Sequence, residues 1–222
     1  MLTSRRNFLL GAGTALGAMD FSSRRAIAAN AAPRMTPHRA LTSLMEGNDR
    51  FATDKPSCLA TTALRAELAN GQAPFAMVLG CSDSRVPVET IFDHEPGDIF
   101  VVRVAGNFVT PEGIGTLEYG FSVLKASLLM VLGHTSCGAV KASLEFLKTG
   151  KRLPGHMQRL VDAIAPGIKG ATAEHEAIVL NVRANVEHLR SSVPLLAAGL
   201  REGGLAIVGA VYDLHTGRVA EV

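Results

Sequence analysis

Phe75-Ala76-Met77-Val78-Leu79-Gly80-Cys81-Ser82-Asp83-Ser84-Arg85 is the stretch that decides the fold. A short run without one polar side chain leads straight into a cysteine, an aspartate and an arginine. Apolar residues at both odd and even positions are what a strand buried on both faces requires. The abrupt change at Cys81 marks its carboxyl end. Three more such runs follow, at 99–104, 128–132 and 205–211, and helical patterns separate them at 115–126, 140–147 and 173–189. In the last of these Ile178, Val182, Val186 and Leu189 form one stripe. Strands alternating with helices predict an α/β fold: a mostly parallel central β-sheet flanked by helices, with right-handed crossovers. Upstream, residues 37–70 read as helical, with Leu41, Leu44, Met45 and Phe51 on one face and a second run over 61–69. Downstream, Asp213-Leu214-His215-Thr216-Gly217 reads as a turn into a short antiparallel edge strand at the C-terminus, 218–222.

The 222 residues, 47% hydrophobic and 19% charged, suit one domain with a real core and exclude a disordered or collagen-like chain. No repeat or linker interrupts them. The amino terminus stands apart. Ser4-Arg5-Arg6-Asn7-Phe8-Leu9 precedes a Gly-, Ala- and Leu-rich segment, 10–19, and this resembles a twin-arginine (Tat) export signal. Ala26-Ile27-Ala28 offers a cleavage site, and Ala29-Asn30-Ala31 an equally acceptable one. The competing readings are an amphipathic anchor helix and a disordered tail. The apolar segment is half of the ~20 residues a membrane span needs, so no stable membrane anchor is expected. The domains expected are therefore a signal over 1–28 and a folded domain over 29–222, delivered to the bacterial periplasm. Removing 1–28 takes away four arginines and one aspartate, turning 22 basic and 20 acidic residues into 18 and 19. A balance near zero implies no nucleic-acid partner and no charged membrane surface.

Three cysteines, at 58, 81 and 137, are too few and too odd in number for a disulfide framework. Two of them lie in polar clusters at strand ends: Cys81-Ser82-Asp83-Ser84-Arg85 and His134-Thr135-Ser136-Cys137-Gly138. Ligands of open α/β sheets collect beyond the carboxyl ends of the strands. Cys81, Asp83, His134 and Cys137 are thus expected to converge, and two thiolates, an imidazole and a carboxylate make a competent tetrahedral zinc set. The duller readings are buried cysteines serving as small hydrophobes, or a Cys81–Cys137 disulfide formed in an oxidising compartment. The other histidines (38, 94, 156, 175, 188 and 215) read as surface residues, His94 in an exposed turn.

CSDSR at 81–85 and HTSCG at 134–138, with the spacing between them, resemble the β-class carbonic anhydrases, from about Leu41 (LTSLMEGNDRF) to Val211. The resemblance implies zinc held by Cys81, His134 and Cys137, with Asp83 and Arg85 as a catalytic dyad. It implies reversible hydration of carbon dioxide to bicarbonate by zinc hydroxide. Asp83 has a second implied place, as a fourth zinc ligand that closes the site when it turns away from Arg85. Gln72, nine residues before Cys81, matches the substrate-orienting glutamine of the plant-like subgroup, and Phe100 and Tyr119 match its cleft aromatics. These three would serve the zinc of a neighbouring subunit in a homodimer or homotetramer; ordinary packing is the competing role for the two aromatics. The chain has no Trp, so the non-catalytic bicarbonate site of another subgroup is not expected. Cys58 has no role in the resemblance. Hydrolysis of carbonyl sulfide or carbon disulfide is the alternative activity within the fold, and a closed, non-catalytic zinc or thiol protein the alternative outside it.

Changing Arg5 and Arg6 together to Lys is expected to leave the chain on the side of the membrane where it is made, as read by cell fractionation. Undiminished delivery across the membrane would exclude the twin-arginine route.

Overall fold

The computed structural model describes residues 34–57 and 62–222; the expected signal over 1–28 and Cys58 lie outside them. Five strands build one sheet: β1 (Ala76–Gly80), β2 (Ile99–Arg103), β3 (Leu128–His134), β4 (Ala206–Tyr212) and β5 (Val219–Glu221). Their order is β2-β1-β3-β4-β5. The first four run parallel and β5 pairs antiparallel with β4, as the sequence predicts. Between them come α1 (Pro37–Ala52), α2 (Thr62–Leu68), α3 (Val88–Ile91), α4 (Pro111–Ser122), α5 (Gly138–Thr149), α6 (Met157–Ile164), α7 (Glu174–Ser191) and α8 (Pro194–Arg201).

Two-residue alternation along the strands splits the core into two layers. Met77, Leu79, Leu129 and Val131 pack with Leu117 of α4, Val140 of α5, Ile164 of α6, Ile178 and Val182 of α7, and Leu196 of α8. Ala76, Val78, Leu128, Met130 and Leu132 face the other way, onto Ala40 and Leu44 of α1 and Val88, Ile91 and Phe92 at α3. Every residue of β1 and β3 is buried, as their apolar runs require. β2 differs: it lies at the sheet edge, and only Ile99 in it is fully buried.

The caps explain the largest boundary shift. Thr110 accepts the Gly113 N–H and Pro111 occupies the first turn, so α4 starts four residues before the predicted 115. Helices α3, α6 and α8 were not anticipated. They run four to eight residues, too short for an apolar period to stand out.

α1 reaches the sheet through a close approach at Gly47. A Cβ there would collide with the Phe92 carbonyl oxygen. Beside it Asn48, 3% exposed, donates to the Ile91 and Gly217 carbonyls and accepts the Val219 N–H. His94 is not in an exposed turn. Its side chain is 14% exposed, edge-on to Phe75, with Nε2 3.2 Å from the Ser43 carbonyl and Nδ1 3.4 Å from Asp98. These partners draw it under α1, while the other five predicted surface histidines are exposed.

Gly47→Ala is expected to lower stability by about 1–3 kcal/mol or more, because a backbone oxygen cannot rotate away from the added methyl. The urea unfolding midpoint should fall accordingly; an unchanged midpoint would mean that α1 shifts freely.

Candidate metal centre

The chain steps from β1 to β2 on one side and later to β3 on the other, so the crevice between the ends of β1 and β3 is the topological switch point. Both polar motifs open there. Gly80 stands opposite Leu132, so Cys81 leaves β1 at the level where β3 reaches Gly133 and His134. Three residues on, Cys137 precedes α5, and between them Ser136 has φ 56°, a left-handed turn that brings the chain back. The Cys81 and Cys137 sulfurs and a His134 ring nitrogen all lie within 4.8 Å of one another, and all three residues are buried. The cysteines are free, not bridged.

The His134 ring is aimed by its own neighbour. Nδ1 donates to the Thr135 carbonyl at 2.8 Å, which leaves the lone pair on Nε2. Nε2 is buried without a hydrogen-bond partner. A desolvated lone pair facing two sulfurs is costly unless something accepts it, and a metal ion fits that description. The hydrogen bond from the far ring nitrogen to a carbonyl is also how ligating histidines are held.

The two sulfurs influence each other's charge. The Cys81 thiol is pulled down, first by contact with the Cys137 thiol and then, against the opposing effect of burial, by His134 and the Gly106 N–H. The Cys137 thiol is pushed up by its neighbour Cys81 and by burial.

Asp83 stands outside this group. Arg85 holds its carboxylate at both oxygens, Nε to Oδ1 at 2.9 Å and a terminal nitrogen to Oδ2 at 2.7 Å. That pairing keeps the Asp83 carboxyl well below the usual carboxylate range. Oδ2 lies 3.9 Å from His134 Nε2, so Asp83 flanks the group while turned onto Arg85. Arg85 also donates to the Ser136 carbonyl at 3.3 Å, tying one motif to the other.

Gln72, Phe100 and Tyr119 are not brought to the sulfurs of this chain. Gln72 is exposed ahead of β1, and Phe100 pairs with Met77, four positions before Cys81, about 13 Å along the strand. Tyr119 is 48% exposed, with its ring 6.1 Å from that of Phe100.

Three residues at the centre escaped the sequence reading. Arg103, the last residue of β2, donates to the Cys81 carbonyl at 2.8 Å and to the Asp83 carbonyl at 2.6 Å. The Gly106 N–H donates to Cys81 Sγ at 3.3 Å, and Asn181 donates to the Gly106 carbonyl at 2.9 Å. A charge closing an apolar run and an asparagine beside an apolar stripe were the available signals.

A parallel sheet with a buried Cys-His-Cys group at its switch point, flanked by an Asp–Arg pair, defines a metal-centre class of α/β protein. A family model described as carbonic anhydrase matches residues 76–219. A carbonic anhydrase of Mycolicibacterium smegmatis is 39% identical over 193 residues, spanning 84% of this chain and 94% of that one. Carbonic anhydrase 2 of Mycobacterium tuberculosis is 38% identical over 192 residues, spanning 84% and 93%. Among solved structures, a tetrameric β-carbonic anhydrase of Sordaria macrospora is 29% identical with a TM-score of 0.63, covering 83% of this chain and 95% of that one. A Coccomyxa β-carbonic anhydrase in complex with acetazolamide is 30% identical with a TM-score of 0.62, covering 82% and 86%. The chain belongs to the β-class carbonic anhydrase family, and it is an enzyme of that family.

Arg103→Ala should free the 81–83 turn without removing a ligand or a member of the dyad. Carbonic anhydrase activity is expected to fall about 10–100-fold at unchanged far-UV circular dichroism, in the range seen for residues that orient ligands. Wild-type activity would show that the turn holds its shape unaided.

Proposed function

We propose that the protein is a zinc enzyme of the plant-like subgroup that converts carbon dioxide and water reversibly to bicarbonate and a proton. The observation that carries this reading is the buried Cys81-His134-Cys137 group, with its unpartnered Nε2, beside an Asp83 committed to Arg85. Cys81, Cys137 and His134 Nε2 would hold the ion, and two thiolates with one imidazole suit zinc. Zinc in such a three-ligand site supplies an acidified water, the nucleophile that free water cannot provide at neutral pH.

The rest falls to the chain. Asp83 Oδ2 accepts a hydrogen bond from the attacking hydroxyl and so turns its lone pair toward the substrate carbon. Arg85 fixes that carboxylate through both oxygens and would keep it off a bound ion. Hydration would add the hydroxyl to the substrate carbon, with one carbonyl π pair moving onto the substrate oxygen and the proton lost from water passing to solvent. Gln72 polarises a substrate oxygen, and Phe100 and Tyr119 wall the cleft. Their distance from the sulfurs of their own chain supports a second copy as the recipient. The tetrameric Sordaria relatives support a homo-oligomer. The twin-arginine segment supports export to the periplasm; no helix among the described residues is long and apolar enough to cross a membrane. A closed, non-catalytic zinc site would need Asp83 on the metal, and its pairing with Arg85 favours the catalytic reading.

The test is stopped-flow carbon dioxide hydration on zinc-quantified protein. Cys81→Ala, His134→Ala and Cys137→Ala are each expected to lose the zinc, about one per chain, together with activity and some stability. Asp83→Asn is expected to retain zinc and lose at least about 100-fold in activity. Full zinc in all three ligand variants, or an inactive zinc-loaded wild type, would overturn the proposal.

A further inference from the structure

α7 turns Ala177, Ile178, Val182, Val186 and Leu189 into the core, and among them Asn181 is buried to 2% exposure. An amide buried in an apolar layer is costly unless each polar atom is used. Asn181 Nδ2 donates to the Gly106 carbonyl at 2.9 Å. Its Oδ1 and backbone carbonyl both face Asn185 Nδ2, at 3.2 and 2.8 Å, and Asn185 Oδ1 accepts the Val109 N–H at 2.8 Å. Two asparagines one turn apart therefore grip the loop between β2 and α4 at 106 and at 109.

That loop needs a grip. Gly106 has φ 87° and Asn107 φ 42°, two successive left-handed residues, and glycine restrains its own backbone least of all. The N–H of this same glycine donates to Cys81 Sγ at 3.3 Å. One side of Gly106 thus faces the sulfur while the other is tied to α7.

We propose that Asn181 is a positioning residue of the metal centre, holding the Gly106 backbone so that its N–H stays on Cys81 Sγ; this rests on the metal reading above. A hydrogen bond to a thiolate stabilises the charged form of the sulfur that a metal requires, and lowers the energy of its electrons. Held in place, the bond keeps Cys81 charged and correctly oriented. Asn48 provides the contrast: nearly as buried and likewise bonded to backbone, it belongs to α1 and bonds Ile91, Gly217 and Val219 rather than the 104–110 loop.

The experiment uses the full chain loaded with zinc or with cobalt(II). Zinc affinity is read by chelator competition and the sulfur-to-cobalt charge-transfer band by absorption. Asn181→Ala, folded by circular dichroism, is expected to bind zinc about 10–100-fold more weakly and to show the band at lower energy. Asn185→Ala should move both readouts the same way by less, and it decides the matter if Asn181→Ala does not fold. Asn48→Ala should lose thermal stability and move neither. Wild-type affinity and band position in the folded asparagine variants of α7, or equal shifts in Asn48→Ala, would overturn the proposal. A wild-type chain that takes up neither metal would instead overturn the metal reading beneath it.

Discussion

The parallel register of β1 on β3 is the constraint from which the centre follows. Ala76 to Gly80 lie opposite Leu128 to Leu132, so both strands end at one level and release their polar motifs into one crevice. A slip of one residue would turn each buried side chain to the opposite layer, and with it the direction of Cys81 relative to His134. The register also brings α7 close. Val182 of that helix lies over Gly133 of β3 and Gly209 of β4, where added Cβ atoms would come within 2.6 and 2.7 Å of its methyls. Missing side chains on adjacent strands let the helix settle, and only a helix at that depth can pass an asparagine to the 104–110 loop.

Charge is the second thing the fold has to manage. Two thiols in a dry crevice do not ionise independently: a thiolate on one opposes ionisation of the other. Backbone donors offset this. Gly106 reaches Cys81. Cys137 caps α5, where the N–H groups of Val140 and Ala139 favour its charged form. The two arginines divide a different task. Arg85 holds the Asp83 side chain, while Arg103 holds the main chain on which Cys81 and Asp83 ride. Side-chain position and backbone position are thereby set from separate elements.

The sequence made the strands and the Cys-His-Cys group legible for one physical reason. Strands buried on both faces have to be continuously apolar, so a cysteine or histidine closing such a run stands out against it. β2 carried the same apolar signal at an edge, because one side of it still packs on Phe92 and the other on Met77. What stayed hidden acts through the backbone. Arg103, Gly106 and Asn181 hold carbonyls, N–H groups and a sulfur, and a backbone atom carries no residue identity to recognise. His94 was misread for a related reason: Asp, Glu, Pro and Gly around it signal a turn, and nothing local reveals that α1 lies across it.

Gln72, Phe100 and Tyr119 pose the remaining geometric question. They sit toward the amino ends of β1 and β2, whereas chemistry in this sheet gathers at the carboxyl ends. Tyr119 lies beside Phe100, whose place opposite Met77 is about 13 Å along the strand from Cys81. Tyr119 of α4, Val123 just after it and Leu195 of α8 are also large apolar side chains left exposed, and the two helices pack side by side. Exposed apolar area of this kind gains from burial against another surface. In the proposed oligomer one contact would do two things: it would remove that area from water, and it would bring a glutamine and two aromatics to a centre whose own chain supplies the Cys81-His134-Cys137 group and the Asp83–Arg85 pair. Burial and cleft completion would depend on the same side chains, so a substitution at Tyr119 could not separate association from catalysis, whereas one at exposed Gln72 would.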